Sequence, residues 1–183
     1  MYLYILSGVI IVLLLYIIIT FNGLVKQRNM VLAQKSQIDI ELQRRFDLIP
    51  NLVEVVKGYA AHEKQTLEDL IEARNNYLFA QGNTDQGLTA DHALSGALSR
   101  LFMLSENYPD LKANTTFMSL QQELANTEKK IAFARQFYND AVYKLNTKIE
   151  IFPSNVIAAV FRFKKQPFFQ TTDTERAPVN VKL

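Results

Sequence analysis

The sequence predicts an all-α protein: a single N-terminal transmembrane helix that continues into a bundle of long helices. Three observations carry this prediction. Residues 1–21 contain no charged side chain, while all 20 Lys and Arg and all 18 Asp and Glu residues lie beyond Phe21. Apolar residues recur every seven positions at Phe117, Leu124, Ile131, Tyr138, Leu145 and Phe152, the spacing of a helix that buries one seam. Only 6 Gly and 5 Pro interrupt 183 residues, and long periodic stretches with few breakers favour helices over a β fold.

At 1.5 Å per residue the uncharged run spans roughly 31 Å as a helix, close to the roughly 30 Å hydrocarbon thickness of a bilayer. A cleavable signal peptide fits less well. The run has no basic n-region, exceeds the usual apolar length of about 7–15 residues, and leads into Thr20-Phe21-Asn22-Gly23, which offers no small-x-small cleavage site. With 0 Cys in the chain, there is no cysteine to carry a lipid. The expectation is an uncleaved, single-pass signal anchor. Lys26, Arg28 and Lys35 follow the span, so the positive-inside rule keeps that flank and the C-terminal domain in the cytoplasm. A formal net charge of +2 is too mild to imply nucleic acid. The rest of the chain is long enough for one domain that needs no disulfide or metal.

Beyond the span, Leu24, Val31, Ile38, Leu42 and Phe46 keep helical spacing, so the anchor is expected to run directly into the first domain helix. Asp47-Leu48-Ile49-Pro50-Asn51 follows, and because proline disrupts a helix interior but suits a first turn, a turn is placed near residues 46–49. A continuous helix kinked at Pro50 is the alternative, since the apolar stripe passes through the proline with little phase slip. The second helix, about residues 50–79, is expected to bury Leu52, Val53, Val56, Tyr59, Ala60, Leu67, Leu70, Ile71 and Leu78. Gln81-Gly82-Asn83 and Gly87 mark a loop. Thr89, with Asp91 after it, is the predicted cap of a third helix carrying Leu94, Leu98, Leu101 and Leu104. Glu106-Asn107-Tyr108-Pro109-Asp110 reads as a stop and turn. The fourth helix bears the seven-residue seam, with Leu120, Ala134 and Ala141 at companion positions, and Pro153 either ends it or starts a new turn. The expected division is 1–21 anchor, 22–169 bundle and 170–183 flexible tail.

Taken together, these residues carry a resemblance. Ile38-Asp39 and Leu42 with Arg44-Arg45, then Asp47-Leu48-Ile49-Pro50-Asn51-Leu52-Val53-Glu54, Val56-Lys57-Gly58-Tyr59 and His62-Glu63, resemble the central signature of the LemA family. Glu106-Asn107-Tyr108-Pro109-Asp110-Leu111-Lys112-Ala113-Asn114, Leu124, Thr127-Glu128, Ile131-Ala132, Ala134-Arg135, Tyr138-Asn139, Asn146-Thr147 and Phe152-Pro153-Ser154-Asn155 follow the family pattern in order, over residues 22–169. Lys35 stands where a tryptophan is expected, and Arg162 where a glycine is usual. The resemblance implies a bacterial membrane protein with one N-terminal spanning helix and an antiparallel, up-and-down bundle of four helices. It implies no established reaction.

Charged residues interrupt the apolar stripes. Glu63 and Arg74 fall in inward phase on the second helix, Arg45 precedes them in the same phase, and Glu128 and Arg135 flank the seam of the fourth. Because an unpaired buried charge is costly, Arg44, Arg45, Asp47, Glu63, Arg74, Glu128 and Arg135 are candidates for cross-helix polar layers. The bland alternative is that these side chains bend out to solvent. Val156, Ile157, Val160, Phe161, Phe163, Phe168 and Phe169 sit among Arg162, Lys164 and Lys165. That mixture suits a membrane interface, although the aromatics would equally cap the open end of a bundle.

No catalytic, metal or cofactor motif stands out. His62 and His92 lack the Glu-x-x-His context of di-iron bundles, and His62-Glu63-Lys64-Gln65-Thr66 is not His-Glu-x-x-His. No Gly-x-Ser-x-Gly turn or glycine-rich phosphate loop occurs. The expected function is a non-enzymatic scaffold or assembly factor at a bacterial inner membrane. Its expected partners are the bilayer, through residues 1–21, and other proteins, and an oligomer is compatible with this. A membrane-bound enzyme or regulatory subunit is the second expectation, for which a water-accessible pocket holding Glu63, Glu128 or Arg135 would speak. A signalling module is the third.

Overall fold

The computed structural model describes residues 1–80 and 84–169. Helices α1 (Tyr2–Lys57), α2 (Lys64–Ala80), α3 (Thr84–Ser105), α4 (Pro109–Lys112), α5 (Thr115–Glu150) and α6 (Ser154–Val160) follow in order, and the described residues contain no strand. The expected tail, residues 170–183, and the loop residues Gln81, Gly82 and Asn83 lie outside the described residues.

The turn expected at residues 46–49 is absent, because α1 runs through Pro50 to Lys57. Phe46, Ile49, Leu52, Val53 and Val56 are all buried, and a turn there would withdraw part of that stripe from the core. Each such side chain contributes about 1.5–3 kcal/mol when fully buried, which outweighs the loss of one helical hydrogen bond. The break comes instead at residues 58–63, where Tyr59 and Ala60 amides both return to the Val56 carbonyl, at 3.0 and 2.8 Å. This break resets the phase of the next helix. On α2, Ala73 and Tyr77 are buried beside Leu67 and Leu70, whereas Ile71 and Leu78, and Tyr59 in the break before it, stay substantially exposed.

The third helix also starts earlier than expected. Thr84 opens α3, so Gly87 and Thr89 lie inside it, since a single glycine costs a helix only about 1 kcal/mol. Asn114 caps α5, accepting the Phe117 amide at 2.9 Å. The seam residues Phe117, Leu124, Ile131, Tyr138 and Leu145 are buried, but Phe152 is 81% exposed. It falls off the seam because α5 ends at Glu150 and the chain turns before α6.

Two compact units divide the chain. Among the described residues, one comprises Met1–Asp39 with residues 131–169, and the other is Ile40–Lys130. In the first, the side chains of residues 1–19 are all exposed, and Leu24, Val31 and Ile38 of α1 are buried, as are Ala134, Ala141, Val142, Ile157 and Ala158. In the second, α2 packs along α3, and Leu94, Leu98, Leu101 and Leu111 join the α1 stripe in its core.

Candidate functional site

In the Ile40–Lys130 unit the helical phase that buries Leu42, Phe46 and Ile49 also buries Arg45, whose side chain is 2% exposed. Its guanidinium meets Asp91 Oδ1 and Glu128 Oε2, each at 3.0 Å, and Nη2 donates to Ser95 Oγ at 2.9 Å. Asp91 and Ser95 stand four residues apart on α3, which sets them on one face. Asp91 is nearly as buried as Arg45, while Glu128 is half exposed. A charge removed from water is tolerated only when paired and hydrogen-bonded, and this arrangement satisfies that condition on three sides.

The other charged candidates of this unit behave differently. Arg44 pairs with Glu123 at 2.7 Å, both about half exposed. Asp47 accepts from Gln43 one turn back on its own helix, at 2.9 Å. Glu63 accepts the Tyr108 hydroxyl at 2.8 Å, and this bond to a carboxylate raises the Tyr108 hydroxyl above its usual pKa of 10.0, with burial and the Glu63 charge adding to it. Arg74 donates to the Phe46 carbonyl at 3.2 Å. Arg45 and Glu128 thus meet directly, whereas Asp47, Glu63 and Arg74 each have separate partners.

The other unit contains Arg135 and the aromatic-basic segment. After α6 the chain closes in a left-handed turn: Arg162 has φ 57, its amide donates to Ala159 O at 3.2 Å, and the Phe163 amide donates to Ala158 O at 2.9 Å. This is the Schellman pair of bonds, whose left-handed residue is usually glycine. Residues 163–169 then run antiparallel to α5 with no helix of their own. Asn146 donates to Gln166 O and accepts the Gln166 amide, both at 2.9 Å. Asn139, seven residues earlier, does the same for Phe169 at 3.0 and 2.9 Å. Tyr138 OH donates to Pro167 O at 3.1 Å, and burial raises its pKa. These amide side chains satisfy backbone groups that an isolated extended segment would leave open.

The aromatic rings of this segment are not all free. Phe161 and Phe163 lie 4.7 and 5.9 Å from the ring of Phe21, Arg28 stands over Phe163, and Phe169 packs on Tyr138 with Arg135 at 5.9 Å from its ring. Arg162, Lys164, Lys165 and Phe168 are exposed, with Lys165 paired to Glu150. Among the described residues no group of three or more His, Asp or Glu converges as metal ligands would. His62 is exposed and His92 half-buried. A cleft of about 350 Å³ beside α2 and α3 is lined by Asp69, Glu72, His92 and Arg100, and none of the polar-layer candidates lines it.

Sequence reasoning missed Asp91, Ser95, Tyr108, Asn139 and Asn146 as site residues. The one available signal was the seven-residue spacing of the two asparagines beside the seam of α5. The family model described as LemA family matches residues 34–183, beginning later than the resemblance and running on through the tail. "Magnetosome protein MamQ 2" of Paramagnetospirillum magneticum is 26% identical over 188 residues, covering 89% of this chain and 69% of the relative. "Magnetosome protein MamQ" of Magnetospirillum gryphiswaldense is 24% identical over the same shares. "Protein LemA" of Metamycoplasma hominis is 26% identical over 166 residues, covering 87% of this chain and 73% of the relative.

Proposed function

We propose, since this chain belongs to the LemA family, that it is a membrane-anchored, non-enzymatic helical protein that holds protein partners at a bilayer surface. One observation carries the reading. Helix α1 is long and apolar enough to cross a membrane, its residues 1–19 are exposed throughout, and the same helix continues without a break into residues buried in the fold, from Leu24 to Val56. Exposing a run of Ile, Leu and Val to water costs about 25 cal/mol per Å² of apolar surface, a cost that a bilayer removes. An anchor on the same helix as the buried Leu24, Val31 and Ile38 also orients the unit that contains them.

The reading includes an uncleaved single-pass anchor in a bacterial inner membrane and a cytoplasmic domain, supported by Lys26, Arg28 and Lys35 beyond the span. It also includes an antiparallel, up-and-down bundle of four long helices over residues 22–169, supported by the buried stripes of α1, α2, α3 and α5. Phe161, Arg162, Phe163, Lys164, Lys165, Phe168 and Phe169 form its membrane-interface segment. The packing of Phe161 and Phe163 on Phe21, the last residue of the uncharged run, supports that assignment. The polar layer around Arg45 serves to select helix register.

The test is carbonate extraction of native membranes combined with photo-crosslinking from the exposed Phe133 and Phe137 of α5. The chain stays with the membrane and yields discrete protein adducts. A chain released by carbonate, or one that yields no adduct from these positions, contradicts the proposal.

A further inference from the structure

In the unit that contains the span, a cleft of about 430 Å³ opens between the end of the uncharged run and the end of α5, within the roughly 300–1,000 Å³ range of small-molecule sites. Tyr16 and Thr20 line it from α1, Ile151 and Phe152 from the turn after α5, and Lys144 and Lys148 from α5 itself. We infer that this cleft binds one anionic phospholipid, its acyl chains against Tyr16, Ile151 and Phe152 and its phosphate at the ammonium groups of Lys144 and Lys148.

Charge and position argue for this occupant. Among the described residues neither lysine has a carboxylate within ion-pair distance, and Glu150, the acidic residue nearest in sequence to Lys148, is paired with Lys165. Lys148 reaches across α1 at Gly23, where a Cβ would collide with its ammonium group. Its charge is therefore held one turn beyond Thr20, where the uncharged run gives way to polar sequence. That is headgroup depth for a spanning helix, and the aromatic lining continues inward at Tyr16 along the lipid-facing run. The lining is chiefly apolar, which suits acyl chains better than a soluble metabolite. The inference rests on the anchoring proposed above.

The full chain in neutral detergent, titrated with phosphatidylglycerol or phosphatidylcholine and followed by native mass spectrometry, tests it. Wild type prefers phosphatidylglycerol. Because each lysine near an anionic headgroup contributes about fivefold, Lys144→Gln with Lys148→Gln lowers phosphatidylglycerol affinity by about 25-fold. Lys144→Arg with Lys148→Arg retains it, and the exposed-lysine control Lys129→Gln with Lys130→Gln leaves it unchanged. Retention of the preference in the double Gln variant, with its helicity intact by circular dichroism, overturns the inference. So does displacement of the lipid by inorganic phosphate, which would identify a simple anion site. Flotation of the same chain with phosphatidylcholine vesicles reports on the anchor alone, so loss of anchoring and loss of the lipid site are separately visible.

Discussion

Arg74 donates its Nε–H to the backbone carbonyl of Phe46 at 3.2 Å, the carbonyl that would have accepted from residue 50 had that residue not been proline. Pro50 lacks an amide hydrogen, so its place inside α1 orphans the oxygen four residues earlier. A buried carbonyl without a partner costs about 1–3 kcal/mol. Phe46 is fully buried, and a charged donor from α2 supplies the missing bond.

Arg74→Met is therefore expected to destabilise the chain by about 1–3 kcal/mol, and by clearly less in a Pro50→Ala background, where the helix supplies its own donor. A double-mutant cycle in denaturant reads the coupling; equal losses in both backgrounds would separate the two residues.

The Arg45 layer predicts an asymmetry. Removing the buried partner, Asp91→Ala, leaves the buried Arg45 with only Ser95 and the half-exposed Glu128, and costs about 3–5 kcal/mol. Removing the half-exposed partner, Glu128→Gln, costs about 1 kcal/mol or less. Chemical denaturation of the two variants measures the difference, and equal losses would show that burial does not govern this cluster.

Arg162 occupies a left-handed position that glycine fills without strain. Arg162→Gly relieves about 1–2 kcal/mol of backbone strain but loosens the unfolded chain, for a net gain of about 1 kcal/mol. Thermal unfolding in detergent should show a higher midpoint, and a lower midpoint would mean that the arginine side chain matters more to the fold than its backbone.

The Tyr108–Glu63 bond predicts alkaline sensitivity. Because the hydroxyl's pKa is raised in the folded chain, the unfolded chain loses this proton first. The stabilisation is complete below pH 10 and is lost as pH rises through the higher folded value. Tyr108→Phe should flatten that part of the stability profile. An unchanged slope above pH 10 would remove Tyr108 from the account.

The fold was legible where one helix period acts alone. The uncharged run, the seam from Phe117 to Leu145 and the inward phase of Arg45 are all visible in spacing. The Pro50 turn was misplaced because its remedy, Arg74, comes from 28 residues away, and the α2 stripe shifted to Ala73 and Tyr77 because the break at residues 58–63 reset its phase. The Phe152 position failed because a seven-residue repeat carries no information about where its helix stops. Partners such as Asp91 for Arg45, or Asn139 and Asn146 for the backbone at Phe169 and Gln166, depend on tertiary contacts that no local pattern encodes.

The absence of cysteine makes one measurement especially direct. Single cysteines at Ile10, Phe161 and Met118 of the full chain, spin-labelled in vesicles, report depth through collision with oxygen and with a water-soluble nickel complex. The account predicts position 10 near the bilayer centre, position 161 at headgroup depth and position 118 in water. A label at position 161 as open to nickel as that at 118, or one at position 10 open to water, would contradict it.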